Sequence, residues 1–151
     1  MFFWFSKKPE MIYGEEVDLK LEQKVVPSRF NRFVPSFCYG IYLHDTNTKI
    51  GYCDIRLGKN EELYYAGNIG YSIVSEYQGH HYALKASKLL LEVAKEHQMD
   101  QLLITCSPDN DASRKTILEL GGVYLETVNV PRNHWLYKRN EKVKEIYKLD
   151  I

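Results

Sequence analysis

Hydrophobic and polar residues alternate from Glu16 to Glu22, where Val17, Leu19 and Leu21 stand between charged neighbours, and this period of two predicts a half-buried strand. Phe37 to His44 reads as a second strand. The polar run Asp45-Thr46-Asn47-Thr48 then turns the chain into a third, Ile50 to Leu57, so the pair is a predicted hairpin. After the polar connection Gly58 to Glu62, the tyrosine- and isoleucine-rich run Leu63 to Val74 predicts a fourth strand, with Gly67 and Gly70 as bulge sites. The period then changes. Ala83, Ala86, Leu90, Val93 and Ala94 recur at three- and four-residue spacing, which predicts an amphipathic helix over Tyr82 to His97. Leu102 to Cys106 is an apolar run of strand length. Ser107-Pro108-Asp109-Asn110 offers caps for a helix over Ala112 to Leu120, which Gly121-Gly122 would end in a left-handed turn. Two further strands are expected over Val123 to Val130 and His134 to Arg139, and EKVKEIYKLD reads as a charged tail.

Composition narrows the classes. The 151 residues can bury one core, so a single domain over residues 1–151 is expected. With 20 basic and 20 acidic residues there is no basic footprint for nucleic acid. Cys38, Cys53 and Cys106 form neither an even disulfide framework nor a Cys-x-x-Cys motif, so they read as reduced thiols and the expected location is the cytoplasm. The opening MFFWF is too soon followed by Ser6-Lys7-Lys8-Pro9 to read as an export signal, and no membrane partner is expected; a strand or a docking terminus is the reading. Pro27 and Pro35 bracket PSRFNRFVP, which has no room for two ordinary helices.

The stretch SEYQGHHYA, Ser75 to Ala83, joins the fourth strand to the long helix. The first N–H groups of a helix lack intrahelical partners and carry partial positive charge, so such a junction can hold a phosphate. A plain tight turn around Gly79 is the alternative. A metal site at His80 and His81 is disfavoured, because adjacent side chains diverge and no third ligand lies at useful spacing.

In order of elements, with the QGHHYA loop and the later NDASRKTILELGG segment, the chain resembles the GNAT superfamily of acyl-coenzyme A-dependent N-acyltransferases over roughly residues 37–139. The resemblance implies an α/β (α+β) fold, a mixed and mostly antiparallel central sheet flanked by helices. It also implies acetyl-CoA as acyl donor, no metal, and a small-molecule or peptide amine as acceptor. The family loop has the pattern Gln/Arg-x-x-Gly-x-Gly/Ala; Gln78 and Ala83 match, and His81 holds the central glycine position. By position, the family assigns Ile73 and Val74 to the thioester and pantetheine arm. Gln78, Gly79, His80, His81, Tyr82 and Ala83 fall to the pyrophosphate, and Asn110 with Ser113 to the cofactor's wall; capping is the plain alternative for the last two.

Three departures from the family stand out. His81 replaces a glycine that often needs positive φ, which costs a side chain roughly 1–2 kcal/mol. Ile117 stands where many members place a proton-donating tyrosine, and Thr105 and Asn68 stand where others place a glutamate. The compressed PSRFNRFVP link cannot supply both helices that usually wall the acceptor site, so an open cleft, the aromatic N-terminus or a second subunit in a homodimer would complete it. Among Glu61, Glu62 and Asp54, Glu62 is the candidate base, with His134 a further candidate and a solvated surface carboxylate the plain alternative. Tyr64, Tyr65 and Tyr71 could line a cleft, although tyrosines in strands usually pack the sheet. Two functions follow: an N-acetyltransferase acting by direct attack of a primary amine, or a non-catalytic acyl-CoA-binding or interaction module on the same fold.

Overall fold

The computed structural model describes residues 10–26 and 34–151. The expectations for MFFWF and for most of PSRFNRFVP lie outside the described residues. Among those described, β1 (Met11–Tyr13), β2 (Val17–Val25), β3 (Ser36–Leu43), β4 (Lys49–Arg56) and β5 (Ile69–Ile73) form one sheet in chain order. Every pairing in it is antiparallel. Period-two alternation drives this sheet: Val17, Leu19, Tyr39, Ile41, Cys53 and Ile55 are buried on one face. The long helix α2 (Tyr82–Glu96) covers that face with Ala86, Leu90, Val93 and Ala94. A second sheet has the order β6 (Gln101–Cys106), β8 (Val143–Asp150), β7 (Val123–Asn129). Helix α3 (Asp111–Leu120) starts on the Asn110 cap and ends at Gly121, whose φ of 101° is left-handed as expected. The fold is thus mixed, with antiparallel sheets flanked by helices.

Two expectations are corrected. The run Leu63 to Val74 is not one strand: its first part belongs to the short helix α1 (Glu61–Ala66), and β5 begins at Ile69. The Asn60 side chain accepts the Leu63 N–H at 2.9 Å, Glu61 and Glu62 complement the helix N-terminus, and Gly67 (φ 80°) ends the turn. His134 to Arg139 is also not a strand, because His134 caps the single turn α4 (Trp135–Lys138). The last strand lies in the supposed tail. In β8 the charges are matched rather than solvated: Lys144 meets Glu141 at 2.7 Å, and Glu145 accepts from Arg114 and Tyr147, while Ile146 and Leu149 fill the core.

The two sheets meet at Asn68, which is only 4% exposed. Its backbone N–H donates to Leu103 O at 2.7 Å, and its side-chain oxygen accepts the Leu103 N–H at 2.9 Å. Its amide nitrogen donates to Arg56 O (2.8 Å) and Gly58 O (2.9 Å). This residue therefore ties β6 to β4 and β5 at one point. Asn68→Ala should cost roughly 2–4 kcal/mol in urea denaturation, because it orphans several buried backbone groups. Asn68→Asp, of the same shape, should cost no less, since its carboxylate would face two carbonyl oxygens.

Candidate active site

Beyond Asn68 the strands β5 and β6 pass into different sheets, and a cleft of about 610 Å³ opens beside β5. The Val74 N–H donates to Ile50 O at 2.9 Å, so it is turned toward β4. In an antiparallel ladder the orientation alternates, so the backbone groups of Tyr71 and Ile73 face the cleft instead. The Ile73 carbonyl there accepts the side-chain amide of Gln78 at 2.9 Å, which folds the following loop back on the strand.

That loop makes a single 3₁₀ turn, Ser75–Tyr77, and reaches α2 through two left-handed residues, Gly79 (φ 88°) and His81 (φ 63°). A Cβ on Gly79 would meet nothing within 4 Å, so glycine is needed there for its backbone angle and not for space. His81 occupies the family's glycine position in the glycine conformation, at a cost of roughly 1–2 kcal/mol that histidine bears better than most residues. The first helical bond is Lys85 N–H to His81 O, and no side chain caps α2. The N–H groups of Tyr82, Ala83 and Leu84 therefore lack intrahelical partners, at a first turn without acidic residues.

Helix α3 forms the opposite wall. Asn110 accepts the Ser113 N–H at 3.1 Å, and the Ser113 hydroxyl meets the Tyr71 hydroxyl at 2.9 Å, which links β5 to α3. Burial pushes the Tyr71 phenol above its ordinary range. Behind this wall, Arg114 forks onto Glu145 of β8 (2.9 and 3.1 Å), and Tyr147 donates to the same carboxylate at 2.9 Å. The Arg114 guanidinium holds the Glu145 carboxyl below the usual range.

The cleft thus brings together Ile73, Gln78, Gly79, His81, Tyr82, Ala83, Asn110 and Ser113. Val74 and the exposed His80, whose ring lies 5.4 Å from that of Tyr82, are not on its wall. Glu62 lines another cavity, of about 450 Å³, with Arg56 and Trp135. His134 is a brace: its Nε2 donates to Glu62 O at 3.0 Å, and its Nδ1 accepts the Leu136 N–H at 3.1 Å. Thr105 donates to Tyr65 O, and Ile117 is fully buried. Tyr71, read from sequence chiefly as sheet packing, is on the wall; only the register of β5 reveals it. Among the described residues no cluster of His, Cys, Asp or Glu is arranged to hold a metal, and no helix is long and apolar enough to cross a membrane.

The family described as acetyltransferase (GNAT) domain matches residues 4–123. A Vibrio cholerae structure assigned as a ribosomal-protein-serine acetyltransferase is similar with a TM-score of 0.67 at 16% identity, over 94% of this chain and 98% of that one. The ribosomal L7/L12 alpha-N-protein acetyltransferase RimL gives 0.69 at 14% identity, over 97% of each chain. Microcin C7 self immunity acetyltransferase MccE, solved with acetyl-CoA and AMP, gives 0.56 at 19% identity, over 77% and 61%. At these identities the likeness is one of fold. No curated protein matches the chain in sequence.

His81→Gly should stabilise the protein by about 0.5–1 kcal/mol in chemical denaturation, the relieved strain exceeding glycine's added chain freedom. Because Arg114 holds the folded Glu145 carboxyl low, its contribution is fully present above the ordinary carboxylate range and is lost as pH falls from that range through the lowered folded value. Thermal melts should therefore show an acid-side loss of stability that is smaller in Glu145→Gln.

Proposed function

The chain belongs to the GNAT acetyltransferase family, and from that premise we propose that it transfers the acetyl group of acetyl-CoA to a primary amine by direct attack on the thioester. The observation that carries this reading is the cleft beside β5, which ends on the uncapped start of α2. The N–H groups from Gly79 to Ala83 would hold the pyrophosphate, favoured by the helix dipole. The pantetheine arm would lie along Ile73, with Asn110 and Ser113 as the far wall. The Ile73 N–H, rather than that of Val74, would polarise the thioester carbonyl, since the Val74 N–H is bonded to Ile50. Holding donor and acceptor together can supply about 7–11 kcal/mol. The acceptor is a small-molecule or peptide amine; the names of two similar structures, both ribosomal-protein acetyltransferases, favour including peptide amino termini. The free thiols Cys38, Cys53 and Cys106 fit a reducing cytoplasm.

A non-catalytic acyl-CoA-binding module is the second reading, favoured by Ile117, which lies buried where many members carry a tyrosine. Calorimetry with acetyl-CoA, alongside thiol release with a panel of spermidine, an aminoglycoside, free amino acids and an unblocked tripeptide, separates the two. Binding with turnover is expected. Binding without turnover on any amine favours the module, and absence of binding rejects both. Ala83→Glu places a carboxylate in the first turn of α2, which favours the helix but opposes a phosphate. It should weaken acetyl-CoA at least about tenfold, the equivalent of 1.4 kcal/mol, without lowering the melting temperature.

A further inference from the structure

We propose that Asp54 is the general base of the acetyl transfer, reaching the attacking nitrogen across the gap that Gly70 leaves in β5; the assignment rests on the coenzyme reading above. In the β4–β5 ladder Asp54 pairs with Gly70, and Tyr52 pairs with Ser72. These side chains share the face turned away from buried Cys53 and Ile55. A Cβ added to Gly70 would stand 2.6 Å from Asp54 Oδ1 and 3.2 Å from Arg56 Nη2. The carboxylate therefore occupies the space of a missing side chain and lies directly over the β5 backbone. Ser72, the next residue on that face, lines the coenzyme cleft. Two residues along a strand span about 7 Å, so Asp54 sits one step from the cleft wall, on the side of the Asn68 junction.

The carboxylate is also oriented. Arg56 Nε donates to Asp54 Oδ2 at 2.8 Å, while Arg56 Nη1 is anchored on Ala66 O (3.0 Å) and Gly67 O (2.9 Å). One oxygen is thus tied to a fixed guanidinium and the other is aimed at β5. The Asp54 side chain is 21% exposed, open enough for an amine to approach and dry enough to matter. Burial pushes its carboxyl above the usual range against the pull of Arg56. Besides Arg56, Cys38 on β3 is its cross-strand neighbour, and Glu22 of β2, paired with Lys49 at 2.9 Å, lies beyond Cys38. Of the remaining candidates, Thr105 is bonded to Tyr65, Asn68 to the junction and His134 to its brace, while Glu62 lies on α1 and lines the other cavity together with Arg56, not the coenzyme cleft.

In the step, the amine nitrogen attacks the thioester carbonyl carbon. As the C–N bond forms, Asp54 Oδ1 takes the N–H proton. The tetrahedral adduct expels coenzyme A thiolate by breaking the C–S bond, and the proton passes from Asp54 through solvent to that thiolate.

Asp54→Asn tests this with its shape preserved. Calorimetric affinity for acetyl-CoA should be unchanged. With the best amine of the panel, kcat should fall on the order of 100-fold, and the acid limb of its pH profile should disappear. Gly70→Ala, whose methyl displaces Oδ1, should lower kcat in the same way with Asp54 intact. Independently of any acceptor, the Asp54 signal in carbon-13-labelled aspartate spectra, assigned by its absence in Asp54→Asn, should shift when acetyl-CoA is added. An Asp54→Asn enzyme with wild-type kcat and pH profile, or a signal unmoved by acetyl-CoA, overturns the assignment alone. A wild-type protein that does not bind acetyl-CoA overturns the coenzyme reading and this assignment with it.

Discussion

The cleft depends on the buried amide of Asn68. Buried backbone groups must be paired, and a strand that leaves a ladder must find other partners for its outward N–H and C=O groups. Asn68 ties β6 to the first sheet at Leu103. Past that point the two strands belong to different sheets, and the outward groups of Tyr71 and Ile73 have no ladder partner in β6. The Gln78 side chain takes up one of them, the Ile73 carbonyl. What remains is a row of backbone valences along a half-buried strand, a surface suited to an extended, amide-bearing chain such as the pantetheine arm. A stitch of longer reach would have closed the sheet and left no opening.

At the far end of the same strand the helix α2 begins in a conformation that histidine adopts at a cost. His81 in left-handed geometry is the kind of local strain found at binding sites, where the surrounding structure holds a residue against its preference. The result is a helix start without a side-chain cap. Its unpartnered N–H groups and the strand's backbone groups point into one cleft, although they come from elements of different periodicity.

Much of this was legible in the chain itself. The alternation of Val17, Leu19 and Leu21, the polar turn that opens the strand after it, and the three-four spacing of Ala86, Leu90 and Val93 declared their elements. So did the Gly79 loop and the Asn110 cap. The failures share one cause, which is that short elements are decided by tertiary partners. Tyr64 and Tyr65 look like strand residues until Asn60 caps the turn that holds them. Lys144 and Glu145 look solvated until Glu141 and Arg114 are seen to pair with them inside a central strand. The placement of Asp54 over Gly70 and the bond from Tyr71 to Ser113 depend on register across strands and helices, which no local pattern encodes.

The topology also orders assembly. The first sheet is a meander of chain neighbours, whose contacts close short loops and form early. The second is not: β6 pairs with β8, Gln101 opposite Asp150, with α3, β7 and α4 lying between them in the chain. Closing that loop carries the larger entropic cost, and Glu145, which anchors the outer wall through Arg114, sits in β8. By loop-closure entropy the sheet that supports Ile73 is expected to form while its facing wall is still unanchored, and the cleft to be completed when β8 docks against β6.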